Sequence, residues 1–157
     1  MIFVTVGTQL PFERLLSAMD AIAANSREDF IAQTGAGQDN WTHLRSEPHL
    51  SPDAFAEFFR AARVVVAHAG IGSILSAKRF GKPLIILPRR AALGEHRNDH
   101  QMATARQVES IPGIHVAWEA EDIEAFLSTP DLTCASEGTS PARAGLIARL
   151  SDFIKTS

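Results

Sequence analysis

The stretch Val64-Val65-Val66-Ala67-His68-Ala69-Gly70-Ile71-Gly72-Ser73 decides the fold, because four apolar residues run without a polar interruption into a glycine-rich turn. A strand that is apolar at every position, rather than at alternate ones, is buried on both faces and belongs to a parallel sheet covered by helices. After the turn a helix reaches Phe80, stops at Gly81-Lys82-Pro83, and gives way to a second such run, Leu84-Ile85-Ile86-Leu87.

The same alternation extends in both directions. Ile2 to Val6 reads as a strand ending at Gly7; from Pro11 to about Ala24, Phe12, Leu15, Leu16, Met19, Ile22 and Ala23 recur at helical spacing, with Pro11 suited to the first turn. Phe30 to Thr34 is a second strand closed by Gly35-Ala36-Gly37, and the polar stretch 38–50 is loop with one short strand around Thr42 to Arg45. Ser51-Pro52-Asp53 opens a helix with Phe55, Phe58, Phe59 and Ala62 on one face. Beyond Leu87 come a loop from Pro88 to about Arg97, a helix to Val108, a strand from Ile114 to Ala117 and a helix from Ala120 to Leu127. Residues 128–140 read as a linker to an amphipathic helix from Pro141 to Ile154. The expectation is one α/β domain over 1–157, Rossmann-like and doubly wound, with five or six mostly parallel strands and binding loops at their carboxyl ends.

Composition narrows the function. The chain has 157 residues, 45% of them apolar, enough for one core without staples. Cys134 is the single cysteine, which excludes a disulfide framework and a Cys-based zinc site. With 15 Lys and Arg against 18 Asp and Glu, the net charge of −3 argues against a general nucleic-acid binder. The opening Met1-Ile2-Phe3-Val4-Thr5-Val6-Gly7 lacks the basic region of a signal peptide, and no apolar run approaches the roughly 20 residues that cross a bilayer, so a cytoplasmic protein is expected.

Two segments carry chemistry. In the first, Gly70 and Gly72 let main-chain N–H groups approach a guest closely, and the amino end of the following helix, opened by Ser73, favours an anion by about 0.3–2 kcal/mol. Phosphate is the natural guest, and a tight turn with a capping serine is the plainer alternative. His68 can donate to such a phosphate or be a buried histidine with internal partners. Gly7 and Thr8, after the first strand, are placed at the edge of the same cleft, whereas Gly35-Ala36-Gly37 lacks the third glycine and the helix of a dinucleotide fingerprint.

The second segment is Pro88 to Gln101. Glu95, Asp99 and Gln101 supply the carboxylate and amide groups that vicinal sugar hydroxyls need. His96 and His100, four apart, have the spacing of a zinc or manganese pair, but no H-E-x-x-H pattern surrounds them, and no metal is assigned. From Lys78 to Arg106 seven basic residues face two acids, a surplus of five suited to a diphosphate or an anionic membrane. Neither a G-x-S-x-G elbow nor a P-loop lysine is present.

Together, Phe3-Val4-Thr5-Val6-Gly7-Thr8, His68-Ala69-Gly70-Ile71-Gly72-Ser73-Ile74-Leu75, Gly94-Glu95-His96 and Asn98-Asp99-His100-Gln101 resemble the carboxyl-terminal, donor-binding half of glycosyltransferase family 28, which has the GT-B architecture. The likeness is greatest to catalytic subunits of two-component transferases, of lipid-linked oligosaccharide or bacterial exopolysaccharide synthesis. It implies that His68, Gly70, Ile71, Gly72 and Ser73 bind the nucleotide diphosphate and that Glu95, Asp99, His100 and Gln101 contact the donor sugar. Ser76 stands five residues before the helix-ending Gly81, where many relatives hold the ribose with a carboxylate; a serine keeps one hydrogen bond and loses the bidentate grip.

The resemblance further implies half an enzyme. The donor would be a UDP-sugar, N-acetylglucosamine among the candidates, and the acceptor a polyprenyl-diphosphate-linked sugar presented by a membrane-associated partner subunit. That partner would supply the general base and keep the chain peripheral to the membrane, the isolated chain being inactive. No cofactor and no metal are expected. The alternative from another class is a non-catalytic nucleotide-sugar-binding homodimer.

Overall fold

The computed structural model describes residues 1–38 and 40–137. Its strands are β1 (Ile2–Thr5), β2 (Phe30–Gln33), β3 (Arg45–Glu47), β4 (Val64–His68), β5 (Leu84–Leu87) and β6 (Ile114–Val116). They form one six-stranded sheet in the order β3-β2-β1-β4-β5-β6, with every pairing parallel. The helices are α1 (Glu13–Ala24), α2 (Pro52–Ala61), α3 (Ile71–Phe80), α4 (His100–Val108) and α5 (Asp122–Leu127). The sequence-based expectation of a doubly wound, Rossmann-like sheet is met, with six strands.

Strand periodicity sorts the apolar side chains onto two faces. Phe3, Val65, Ala67, Leu84 and Ile86 point to the face covered by Phe59 of α2, Ile74 and Ala77 of α3, and Ala105 and Val108 of α4. Ile2, Val4, Val64, Val66, Ile85 and Leu87 point to the other, covered by Leu15, Leu16 and Met19 of α1 and Ile123 of α5. Phe3 meets Phe55 and Phe59 edge-on at 5.5 and 6.1 Å, which anchors α2 to the sheet. Ser51 caps α2 by accepting the Ala54 N–H, with Pro52 next to it, and α3 ends at Gly81, whose φ of 66° is left-handed.

Element ends differ from expectation where tertiary contacts reach the backbone. The third strand lies at Arg45–Glu47 instead of 42–45 because pairing to Ile31 and Gln33 sets its register, its own polar pattern being indifferent. Pro11 falls outside α1, which begins at Glu13, after a bend over residues 8–10 whose Leu10 carbonyl is held by Arg89. Helix α4 starts at His100, later than expected, because the Asp99 and Glu95 carboxylates accept main-chain N–H groups of the loop, from Ala91 and Arg90. Of the segment read as a linker, residues 128–137 are described: Ala135 is buried, donates its N–H to Lys82 O, and packs on Gly113. The helix read over 141–154 lies outside the described residues.

One side chain joins the strand ends that matter for the site. Gln101 Oε1 accepts the N–H of Ala69, after β4, and of Arg89, after β5, at 3.2 and 3.1 Å, both buried. Leucine at position 101 leaves two buried donors unpaired, at about 1–3 kcal/mol each. Urea unfolding of Gln101→Leu should show a loss of about 2–6 kcal/mol for the two donors together, and a loss under about 1 kcal/mol would mean that water replaces the carboxamide there.

Candidate functional site

The strand order reverses between β1 and β4, and the helices that follow them leave for opposite faces: α1 packs with Val4 and Val66, α3 with Phe3 and Val65. A doubly wound sheet opens its ligand crevice at this switch point. Gly7 and Thr8 follow β1 there, and Ala69 to Ser73 follow β4.

Among the described residues, no side chain caps the amino end of α3. Gly70 is the N-cap residue with an extended backbone and no side chain to offer, and the first turn contains no acid. Helix geometry leaves its leading N–H groups without intrahelical partners, so they carry partial positive charge toward the crevice. A Cβ on Gly72 would meet nothing within 4 Å, so the space above that turn is open. Ser73 is buried in the same turn.

His68 is the floor of this turn. Its ring lies between Gly7 and Gly70: a Cβ on Gly7, whose φ is 78°, would stand 3.0 Å from Cε1, and one on Gly70 would overlap Nε2. Both glycines are therefore required by the imidazole. Its Nδ1 is enclosed without a hydrogen-bond partner of ordinary geometry among the described residues, while the Thr5 main chain interacts with the ring, so the imidazole is partly satisfied inside the protein. Burial, reinforced by the Arg89 charge, pushes its pKa down to about 4, and it is neutral at pH 7.

Two cavities flank the α3 amino end. The larger, 430 Å³, is lined by Gly7, Thr8, His68, Gly72, Ser73 and Ser76, with Thr5, Gln33, Leu50, Phe55, Arg79 and Phe80 completing its walls. The smaller, 240 Å³, lies against Gly70 and Ile71 on one side and His96, Arg97, Asn98, His100, Gln101 and Thr104 on the other. The residues that the sequence assigns to a diphosphate, His68, Gly70, Ile71, Gly72 and Ser73, are thus brought together on the ridge between the two. Ser76, Gly7 and Thr8 join them in the larger cavity.

The four residues assigned to a sugar divide. His100 and Gln101 line the smaller cavity. Glu95 instead makes a two-pronged ion pair with Arg14, at 2.8 and 3.0 Å, and accepts the Arg90 N–H at 3.0 Å. Asp99 accepts the Ala91 N–H at 3.0 Å. Both acids therefore shape the loop that carries the cavity wall. Arg89, 4% exposed, donates to Val6 O and Leu10 O at 2.8 and 2.7 Å and stacks 4.9 Å over Phe12, which fixes the β1–α1 turn. Burial lowers its pKa to about 10, and it stays charged at pH 7. Sequence reasoning did not assign Thr5, Gln33 or the aromatic wall to the site. Thr5 and Gln33 each end a strand, which is the signal that was available; their side chains bond each other at 2.7 Å. His96 and His100 lie on one cavity wall, but among the described residues no three His, Cys, Asp or Glu side chains gather as a metal cluster.

The model of the glycosyltransferase family 28 C-terminal domain matches residues 1–112, which include both cavities and every residue on the ridge between them. The chain belongs to this family. No curated protein matches it by sequence. Among solved structures, the glycotransferase of kitacinnamycin superposes with a TM-score of 0.63 at 18% identity, over 99% of this chain and 39% of that one. The glycosyltransferase SnogD from Streptomyces nogalater gives 0.56 at 17%, over 98% and 38%, and the spinosyn forosaminyltransferase SpnP 0.55 at 17%, over 98% and 39%. At such identities the likeness is one of fold, that of a carboxyl-terminal GT-B half. The family 28 chain spans about two fifths of the length of these structures. It is a glycosyltransferase domain of the nucleotide-sugar-binding kind.

Two expected outcomes follow from His68 and its glycines. Gly70→Ala drives the ring into the crevice and should cost about 1–3 kcal/mol of stability in a thermal or urea melt. Gly72→Ala, with open space and better helix propensity, should melt no lower than the parent; equal losses in the two variants would remove His68 from its role as the floor. Because the folded pKa lies below the unfolded 6.5, His68 stabilises the fold fully above about pH 6.5 and loses that contribution as pH falls toward 4, roughly 3 kcal/mol in all. His68→Gln should flatten the stability profile between pH 6.5 and 4, and an unchanged slope would place the acid sensitivity elsewhere.

Proposed function

We propose that the chain is the donor-binding catalytic subunit of an inverting, metal-independent glycosyltransferase. The reading rests on one observation: the uncapped amino end of α3, with open space above Gly72, stands between a larger and a smaller cavity. A nucleotide sugar is a molecule of that form, two neutral or weakly charged ends joined by a dianionic bridge. The nucleoside takes the larger cavity, its base against the apolar walls of Leu50, Phe55 and Phe80 and its ribose near Ser76. The diphosphate lies over Gly70, Ile71, Gly72 and Ser73, beside Gly7, Thr8 and His68, and the sugar enters the smaller cavity by His100 and Gln101. Glu95 and Asp99 act on the sugar through the loop they hold.

The donor is a UDP-sugar, with N-acetylglucosamine among the candidates, and the acceptor a hydroxyl of a polyprenyl-diphosphate-linked sugar. That hydroxyl attacks the anomeric carbon on the face opposite the diphosphate; the new C–O bond forms as the bond to the diphosphate oxygen breaks, and UDP departs. Charge grows on the leaving oxygens, where the α3 amino end stabilises it without reorganising. The hydroxyl proton passes to a base on a membrane-associated partner subunit, a contribution of about 10²–10⁴-fold, and the isolated chain is inactive without it.

UDP or a UDP-sugar at about 100 times its Kd should raise the melting temperature by several degrees, the equivalent of about 2.7 kcal/mol, with or without magnesium. Gly72→Asp puts a carboxylate where the phosphate should sit; it should melt like the parent and lose the shift. No shift with any uridine ligand, or the same shift in Gly72→Asp, would sink the proposal. Copurification of an acceptor subunit that restores transfer separates the enzyme from a nucleotide-sugar-binding homodimer.

A further inference from the structure

The smaller cavity offers its occupant mainly hydrogen-bond donors and positive charge: the amide oxygens of Asn98 and Gln101 are already engaged, and the Thr104 hydroxyl can donate as well as accept. Asn98 Oδ1 accepts the His100 N–H, and Gln101 Oε1 accepts two main-chain N–H groups. His96 Nδ1 accepts the Asn98 N–H, which leaves the ring proton on Nε2 as a donor. Among the described residues no Asp or Glu lines the cavity, Glu95 being held by Arg14 and Asp99 accepting the Ala91 N–H. Arg97 is exposed on the same wall and makes no hydrogen bond or ion pair among the described residues. A neutral hexose presents hydroxyls, each of which must donate as well as accept; this wall suits a group that only accepts.

We propose that the sugar taken by this cavity carries a carboxylate, as a uronic acid does, and that Arg97 selects it. The inference rests on the donor-site reading above and narrows it to a class of donor. A guanidinium forks onto both oxygens of a carboxylate, and such charge-assisted pairs are about twice as strong as neutral ones. A diphosphate is also an anion and also lies close by, so the experiment must separate the two.

Titration calorimetry of the full chain with UDP, UDP-glucose and UDP-glucuronate does so, because the three differ only at the sugar. UDP-glucuronate should bind at least about tenfold tighter than UDP-glucose, and Arg97→Gln should collapse that ratio to within about twofold of unity. A ratio near unity in the parent, a ratio that survives in Arg97→Gln, or a loss for UDP equal to the loss for UDP-glucuronate would each overturn the assignment, the last by giving Arg97 to the phosphates. Failure of UDP itself to bind the parent would overturn the donor site along with it.

Discussion

Two neighbouring parallel strands whose following helices leave to opposite faces cannot be roofed at their carboxyl ends, and in this chain those strands are β1 and β4. The pairing of Thr5 with Ala67 brings their ends level, so that the turn after each opens on the same crevice. Everything at the site follows from that gap. The glycines that close the turns are set by what lies beneath them, the His68 ring, and the helix that leaves β4 presents its unpaired amino end upward. A fold that covered this gap would satisfy those N–H groups internally and have nothing to offer an anion.

The crevice is held open by polar bonds that reach from the neighbouring strand. Arg89 clamps the turn after β1, Gln101 fastens the ends of β4 and β5, and the Glu95–Arg14 pair ties the loop after β5 to α1. Glu95 and Arg89 are mostly buried, so each bond is made in a medium where its loss leaves an unpaired charge or donor, and the loops are correspondingly fixed. The same bonds decide what remains for a ligand. The oxygens of Glu95, Asp99 and Gln101 are engaged by main-chain N–H groups, while Arg97 is exposed and the α3 amino end is uncapped among the described residues, which is the basis of the anion-binding role proposed for the site.

Much of the fold was legible along the chain. Val64 to Ala67 and Leu84 to Leu87 are apolar at every position and could only be strands buried on both faces; α2 announced itself by Ser51-Pro52 and its phenylalanines. β3 was harder to place, because Arg45–Glu47 is a polar edge strand whose position is set by its partner and not by its own pattern. At the candidate site, Gly70, Gly72 and Ser73 were legible as a glycine turn leading from a strand into a helix, because glycine placement and the onset of helical spacing are local. Glu95 and Asp99 looked the same in sequence as His100 and Gln101: residue type says what a side chain can bond, not which way a loop turns it.

The parallel sheet, the succession of strands and helices, and the glycine turn before α3 were already set along the chain, since hydrophobic period and glycine placement are local properties. Only the packing of distant segments places two cavities beside that helix end, sets His68 between Gly7 and Gly70, and engages the acids of the second loop with main-chain N–H groups while leaving Arg97 exposed. These are matters of competition among partners distant in sequence. Arg14 lies far from Glu95 along the chain, and until the sheet brings them within 2.8 Å nothing local tells that carboxylate apart from one free to meet a sugar.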